Sequence, residues 1–369
     1  MGFYRIAVLP GDGIGSEVMA EALKVLRAVE GVFPGLSLEC QEYPTGARCY
    51  KETGSDLPPE TLDACRAADA ILFGSAGLPD IRFPDGTEIA PQLTLRFVLD
   101  LYAGVRPIKR YAGVPPVLAG DPAMDYVILR ENTEGLYASR GGGIRVGDQV
   151  AVDSMIVTRA GTERIVRDAF RLAQSRHGAP ADGKRRVTCV DKANVLKSMA
   201  FFRQIFDEVA REFSGIQTDH VYVDAMTLYM VQRPLRFDVV VAENMFGDII
   251  SDLAAGTIGG MGLAPSADVG DTYGVFQPSH GTAPDIAGKG IANPIAQILS
   301  AGMMLDWLGE RKQDGEARAA AKTIEGAVEA TLRDRRFHTA DLGGSASTRA
   351  VGDAVATQIG NWKLETGNR

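Results

Sequence analysis

The sequence predicts an α/β fold organised as two domains, on three observations. Short β-rich runs alternate with helical patterns over most of the chain, the arrangement that packs helices against a sheet. At 369 residues the chain is longer than one core usually holds, so two domains are expected. The first strand runs into a glycine cluster and then a helix, "AVLPGDGIGSEV" (7–18), much as nucleotide-binding folds begin.

That last resemblance fails in its details. The dinucleotide fingerprint needs Gly-x-Gly-x-x-Gly, whose third glycine lets helix and strand pack closely. Counting from Gly11 the third place is Ser16, and counting from Gly13 it is Val18. Neither register fits, and the residues alone leave the motif unexplained.

The elements follow in chain order. "YRIAVLP" (4–10), "AILFGS" (70–75), "DYVILRE" (125–131), "RVTCVD" (186–191) and "FDVVVAEN" (237–244) read as strands. In "FFRQIFDEVAREF" (201–213), Phe202, Ile205, Phe206, Val209, Ala210 and Phe213 recur at helical spacing and form one apolar stripe. "ERIVRDAFRLAQ" (163–174) repeats that pattern more weakly. Ahead of both, "GGGIRVGDQVAVDSMIVTR" (141–159) has turn glycines and β-branched residues but no helical signal, and reads as a protruding hairpin.

Composition excludes several partners. The 39 Lys+Arg against 47 Asp+Glu give a net charge of −8, with no basic block to attract nucleic acid or an anionic membrane. Cys40, Cys49, Cys65 and Cys189 are scattered without a C-x-x-C pair, which suits neither a zinc site nor a disulfide framework. No charged-then-apolar leader opens the sequence, and no apolar run reaches membrane-spanning length. A soluble, cytoplasmic protein is expected.

Several groups could carry chemistry. Arg96, Arg106 and Arg130 each present a planar fork suited to carboxylates, although a single arginine more often bridges at a surface. In "ENMFGDIISDLAAG", Asp248 and Asp252 share one helix face. Like charges at that spacing repel unless a hard cation lies between them, while a helix N-terminus is the bland alternative. Asp224, in "VYVDAM", stands at a strand end. Lys192 and Asn194, in "VDKANVL", follow another strand; among carboxylates and a metal, the lysine could act as a base. Tyr137, in "EGLYAS", is a packing residue or an acid. His280, Gly281, Asp285 and Asn293 lie in one glycine- and proline-broken loop before a helix. Backbone amides of such a loop could wrap a nucleotide. Asp285 would accept ribose hydroxyls and repel a 2′-phosphate, favouring NAD over NADP.

Taken together, "GDGIGSE", "LRFVLDLYAGVRP", "RENTEGLY", "DKANVL", "VDAM", "ENMFGDIISDLAAG" and "HGTAPDIAGKGIANP" resemble, in order and rough spacing, the β-decarboxylating dehydrogenases. This family includes the isopropylmalate, isocitrate, homoisocitrate and tartrate/D-malate enzymes, and the resemblance covers nearly the whole chain. It implies a two-domain isopropylmalate-dehydrogenase-like fold distinct from the Rossmann fold, working as a homodimer with shared active sites. The implied cofactor domain is 1–101 plus 259–369. The implied dimerisation and metal domain is 102–258, with an intersubunit arm at about 141–159.

The resemblance also implies roles. Arg96, Arg106 and Arg130 would clamp the carboxylates of a small malate-like substrate, with Asn194 nearby. Asp248 and Asp252, with Asp224 of the other subunit, would hold Mg²⁺ or Mn²⁺. Lys192, also from the other subunit, would relay the hydroxyl proton, and Tyr137 would protonate the product carbon. His280, Gly281, Ala283, Asp285, Ile286 and Asn293 would bind the adenosine half of NAD.

Substrate choice in this family depends on "PDGTEIAPQLTLRF". The isocitrate branch carries serine and asparagine six and four residues before the first clamp arginine, where Ala90 and Gln92 stand here. The homoisocitrate branch has a cation at Leu93, the tartrate branch has tryptophan at Ile89, and the isopropylmalate branch has two leucines of which Leu93 answers one. "RENTEG" departs from the "RELTGG" type of many bacterial isopropylmalate enzymes. An uncharged, partly apolar pocket best fits a 3-alkylmalate such as 3-isopropylmalate. Gln92 could meet a hydroxyl, which keeps tartrate or D-malate as the alternative. A non-catalytic regulatory homologue would be expected to lose a metal aspartate, the lysine or a clamp arginine, and all are present.

Overall fold

A computed structural model describes residues 2–140 and 142–366. Met1, Gly141 and 367–369, which fall in the expected domain and arm ranges, lie outside the described residues. The chain opens with β1 (Gly2–Gly11), α1 (Gly15–Val32), β2 (Leu36–Glu42), α2 (Ala47–Thr53), α3 (Pro59–Ala67), β3 (Ala70–Ser75) and α4 (Pro91–Val98). Its middle holds β4 (Ala103–Lys109), β5 (Asp125–Glu131), β6 (Ile144–Val146), β7 (Val150–Val152) and α5 (Arg159–Ser175). There follow β8 (Arg186–Asp191), α6 (Lys197–Ala210), β9 (Gln217–Tyr222), α7 (Val223–Gln232), β10 (Val239–Ala242) and α8 (Asn244–Ile258). The last part comprises β11 (Pro265–Val269), β12 (Gly274–Pro278), α9 (Ile295–Lys312), α10 (Gly315–Leu332) and α11 (Thr348–Thr366).

Ten strands form one sheet in the order β2-β1-β3-β12-β11-β4-β5-β10-β8-β9. Pairing is parallel at both flanks and antiparallel only around β12, β11, β4 and β5. The interior parallel strands β3 and β10 read as continuous apolar runs, as strands covered on both faces do, whereas the edge strands β2 and β9 are polar and largely exposed. Every residue of β3 and of β10 is buried.

The helical stripe behaves as its spacing predicts. Phe202, Ile205, Phe206 and Val209 are buried in α6, and Phe213 stacks on Phe170 of α5 at 5.0 Å. Each buried phenylalanine contributes roughly 1.5–3 kcal/mol of transfer free energy. The helix ends at Ala210 rather than Phe213, before the left-handed Gly215. β10 is shorter than the expected 237–244, because Glu243 turns out of the strand to cap α8. Its carboxylate accepts from Phe246 N at 2.8 Å and Met245 N at 3.2 Å. The 141–159 stretch contains the β6–β7 hairpin, whose Ile144, Val146, Val150 and Val152 are all exposed. Among the described residues no helix is long and apolar enough to cross a membrane.

Candidate functional site

A cavity of about 570 Å³ opens where α4, β4, β5, α8 and the segment after β12 meet. Arg96, Arg106 and Arg130 line it and are 5%, 6% and 3% exposed. Their placement follows from local structure. Arg96 lies in the last turn of α4, while on the antiparallel β4–β5 pair Arg106 stands opposite Ile128 and Arg130 opposite Gly104, a diagonal two residues apart. Arg130 crosses under α8 because Gly247 has no side chain there. A Cβ at Gly247 would come within 2.8 Å of Arg130 Cβ and Cγ.

Two of the three guanidiniums pair directly with a carboxylate, and Arg106 does not. Arg96 Nε donates to Asp268 at 2.9 Å, and Arg106 Nη1 donates to Ser279 Oγ at 2.9 Å. Arg130 donates to Asn244 Oδ1 at 3.0 and 2.7 Å and pairs with Asp248. Arg106 Nε is buried without a partner. Burial first, and then the Arg96 charge, disfavours the Arg130 cation; burial does the same at Arg106, where Asp268 opposes it. Buried cations in this state favour an anionic ligand that completes their hydrogen bonds.

Asp248 and Asp252 line the same cavity, one helical turn apart on α8. Asp248 accepts from Tyr137 OH at 3.0 Å as well as from Arg130. Burial first, then the Asp248 charge, raises the Asp252 carboxyl above its usual range. Two carboxylates that repel at an open cavity have the donor chemistry for a hard divalent cation. Among the described residues no group of three or more His, Cys, Asp or Glu comes together as a metal centre. Tyr137 is raised by burial, then by the Asp248 charge and hydrogen bond, so its phenol keeps its proton at neutral pH.

Lys192, Asn194 and Asp224 do not line this cavity. Lys192 Nζ meets Asp224 Oδ1 at 2.6 Å beside the ring of Tyr222, and Asn194 is exposed. The loop carrying Lys192 is held from below. Buried Asp191 accepts from Arg203 at 2.8 and 2.7 Å and from Ala193 N at 2.8 Å.

The predicted nucleotide loop runs without regular structure from β12 to α9. His280 and Gly281 also line the cavity. His280 Nδ1 lies 2.9 Å from Gly281 O, while Nε2 is buried without a partner. Burial holds the imidazole below its usual pKa and therefore neutral. Asp285 is exposed. Ala283 and Ile286 pack on Ile14 and Val18. The Asn293 side chain is engaged within the protein, donating to Asp341 at 3.0 Å and accepting from Ile295 N at 3.1 Å.

Several residues in and around the site were not read from sequence. Asp268 on β11 is 1% exposed and gathers Arg96, Asn132 at 2.8 Å and Gln277 at 2.8 Å. Glu88 and Arg140 line the cavity mouth beside Ala90, Gln92 and Leu93, and Gln92 Oε1 is buried without a partner. Asp12 accepts from Ala47 N, Arg48 N and Gly77 N at 2.6, 3.0 and 3.0 Å, capping α2 from the glycine loop. The acids in "GDGIGSE" were the available signal, but their partners are distant in sequence.

Residues 5–355 match the family described as isocitrate/isopropylmalate dehydrogenase. The 3-isopropylmalate/3-methylmalate dehydrogenase of Methanocaldococcus jannaschii is 44% identical over 357 residues, covering 96% of this chain and 99% of that protein. The isocitrate/homoisocitrate dehydrogenase of Thermus thermophilus is also 44% identical over 357 residues, covering 96% and 98%. Among solved structures, the isocitrate dehydrogenase of Methylococcus capsulatus superposes with a TM-score of 0.84 at 38% identity, covering 97% of this chain and 99% of that one.

Proposed function

The chain belongs to the isocitrate/isopropylmalate dehydrogenase family, and from that premise we propose that it converts 3-isopropylmalate to 2-oxoisocaproate and CO₂. The reaction uses NAD and a divalent metal ion, Mg²⁺ or Mn²⁺. The observation that carries the reading is the convergence of three buried arginines and two carboxylates on one cavity.

Each residue has a defined task. Arg96, Arg106 and Arg130 bind the two malate carboxylates, and the free Nε of Arg106 is one unused donor for them. Asp248 and Asp252 would hold the metal, with Asp224 of a second subunit as a further ligand. When bound, the metal supplies Lewis acidity at the hydroxyl and its adjacent carboxylate, and NAD supplies the hydride acceptor. Lys192 Nζ of the second subunit takes the substrate hydroxyl proton. Tyr137 OH, which keeps its proton at neutral pH, delivers one to C3 after CO₂ leaves. Neutral His280, with Asp285 and the 280–294 backbone, binds the adenosine half of NAD.

Shared sites make the enzyme a homodimer. This reading is supported by the Lys192–Asp224 pair, which lies outside its own chain's cavity. Leu228, Val231 and Ile249 on α7 and α8 and the β6–β7 hairpin also offer exposed apolar side chains. The cofactor domain is then 1–101 plus 259–369, and the metal and dimer domain is 102–258. Sheet order supports that division, since β2, β1, β3, β12 and β11 adjoin one another. Four free cysteines suit a cytoplasmic setting.

A second reading, tartrate or D-malate dehydrogenase, is favoured by the unpartnered Gln92 Oε1 at the cavity, an acceptor for a substrate hydroxyl. The test is kcat/KM for 3-isopropylmalate, D-malate, tartrate, isocitrate and homoisocitrate with NAD and Mg²⁺ or Mn²⁺. Isopropylmalate should lead. Preference for another acid overturns the substrate and leaves the chemistry, whereas no turnover of any acid overturns both.

A further inference from the structure

The loop "GDGIGSE" is joined to the 280–294 segment at every level. Gly13 has a φ of +58°, and a Cβ there would fall 2.1 Å from Thr282 O. Ile14 N donates to Thr282 O at 2.9 Å. Ile14 and Val18 form a buried apolar cluster with Ala292, against which Ala283, Ile286 and Ala287 pack. In the first turn of α1, Glu17 accepts from the backbone N–H of Gly288 and, at 3.0 Å, from that of Gly290. Gly288 and Gly290 adopt φ of +76° and +65°. Lys289 N donates to Ile286 O at 3.1 Å and Thr348 N, at the start of α11, donates to Gly290 O at 2.9 Å, while the Gly288 and Gly290 amides are those that Glu17 takes.

We propose that Glu17 is a positioning residue for the dinucleotide: its carboxylate fixes the Gly288–Gly290 turn so that the 280–294 loop is preformed before NAD arrives. The inference rests on the reading that this loop binds NAD. Preforming the loop removes an ordering cost that binding would otherwise bear. Charge-assisted hydrogen bonds to backbone N–H groups are the strong kind, and both Glu17 oxygens are used in this way. The inference also explains Val18. A glycine at that place, as a Rossmann turn demands, would remove the side chain on which the loop rests.

The test compares wild type, Glu17→Gln and Glu17→Ala by NADH titration without substrate or metal. Amide hydrogen exchange of the ligand-free proteins is measured at Gly288 and Gly290. Glu17→Ala should weaken NADH binding by about tenfold, and Glu17→Gln, which keeps one acceptor, by about two- to threefold. Both glycine amides should be protected in wild type and exchange faster in Glu17→Ala. In turnover, KM for NAD should rise while KM for the acid, and kcat at saturating NAD, stay at wild-type values. Should Glu17→Ala fail to fold, Glu17→Gln and the wild-type exchange data still decide. Unprotected wild-type amides, or variants with unchanged NADH affinity, overturn the inference alone. Wild-type protein that does not bind NADH overturns the cofactor reading and the inference with it.

Discussion

Replacing Gly247 with alanine separates the placement of Arg130 from the stability of the helix above it. A methyl at Gly247 would lie 2.8 Å from Arg130 Cβ and Cγ and 3.1 Å from its Cα. Ordinary carbon contacts are about 3.5–4.0 Å, so Arg130 or α8 must move by about 0.7–1.2 Å. Two stability effects oppose one another: alanine in place of glycine gains about 1 kcal/mol of helix propensity, and overpacking costs about 1–3 kcal/mol. The net change is between nothing and about 2 kcal/mol of destabilisation, a fall in Tm of no more than several degrees. The effect on function should be larger. Arg130 holds Asn244 and Asp248, and a displacement of about 1 Å in a reacting geometry costs on the order of 100-fold in rate. Thermal unfolding and kcat/KM with 3-isopropylmalate measure the two effects. Near-native Tm with a 10- to 100-fold loss is expected on the order argued; kcat/KM within about twofold of wild type would falsify the placement argument.

Three further outcomes follow from the site. Burial alone would raise Asp268, but the charges of Arg96 and Arg106, with hydrogen bonds from Arg96 and Asn132, hold its carboxyl below the usual range. Its stabilisation is therefore present above the unfolded carboxyl value and is lost as pH falls through the lowered folded value. Asp268→Asn should cost about 3–5 kcal/mol at pH 7 by unpairing a buried guanidinium, and the gap to wild type in urea unfolding should narrow below about pH 4; a pH-independent gap contradicts the assignment. Lys192→Ala and Asp252→Asn should each be inactive alone. Exchanging subunits between them should restore up to about a quarter of wild-type activity, since half of the dimers then carry one intact site of two; no recovery after verified exchange counts against shared sites. Asp285→Ser should raise NADP use relative to NAD by about tenfold, the scale of one partly screened charge contact. An unchanged cofactor ratio removes Asp285 from that role.

Periodic features and contiguous motifs were legible in the sequence. The α6 stripe, the diacid on α8 and the irregular loop before α9 each depend on residues within one segment. Bulky side chains at helical spacing, or acids one turn apart, declare themselves locally. Asp268 did not, because its meaning comes from Arg96, 172 residues earlier, and a lone acid in "PSADVG" resembles any turn acid. Asp12 and Glu17 stood in plain view within "GDGIGSE". What they bind are backbone amides 35 and more than 270 residues away, and backbone amides leave no trace in side-chain identity. Lys192 and Asp224 were drawn to each other but not to the cavity; a single chain holds only part of what the motif match assigned. The continuous sheet was equally hidden, since the β11–β4 pair joins segments that differ in chain position by about 160 residues.

The order of that sheet also sets a timetable for a ribosome. β3 finds one of its two neighbours in β12, and α1 lies against α11. Val18, Met19, Ala22, Val25, Leu26 and Val29, all buried in the finished protein, emerge early and meet their partner helix last. At translation rates of about 5–20 residues per second, the roughly 330 residues between α1 and the end of α11 take about 17–67 s to synthesise. For that interval α1 lacks one of its partner helices, and until β12 is made β3 keeps an open edge, while β5, β10 and β8 already possess both of their neighbours. The strands β5, β10 and β8 can therefore pair before β3 and α1 find their last partners.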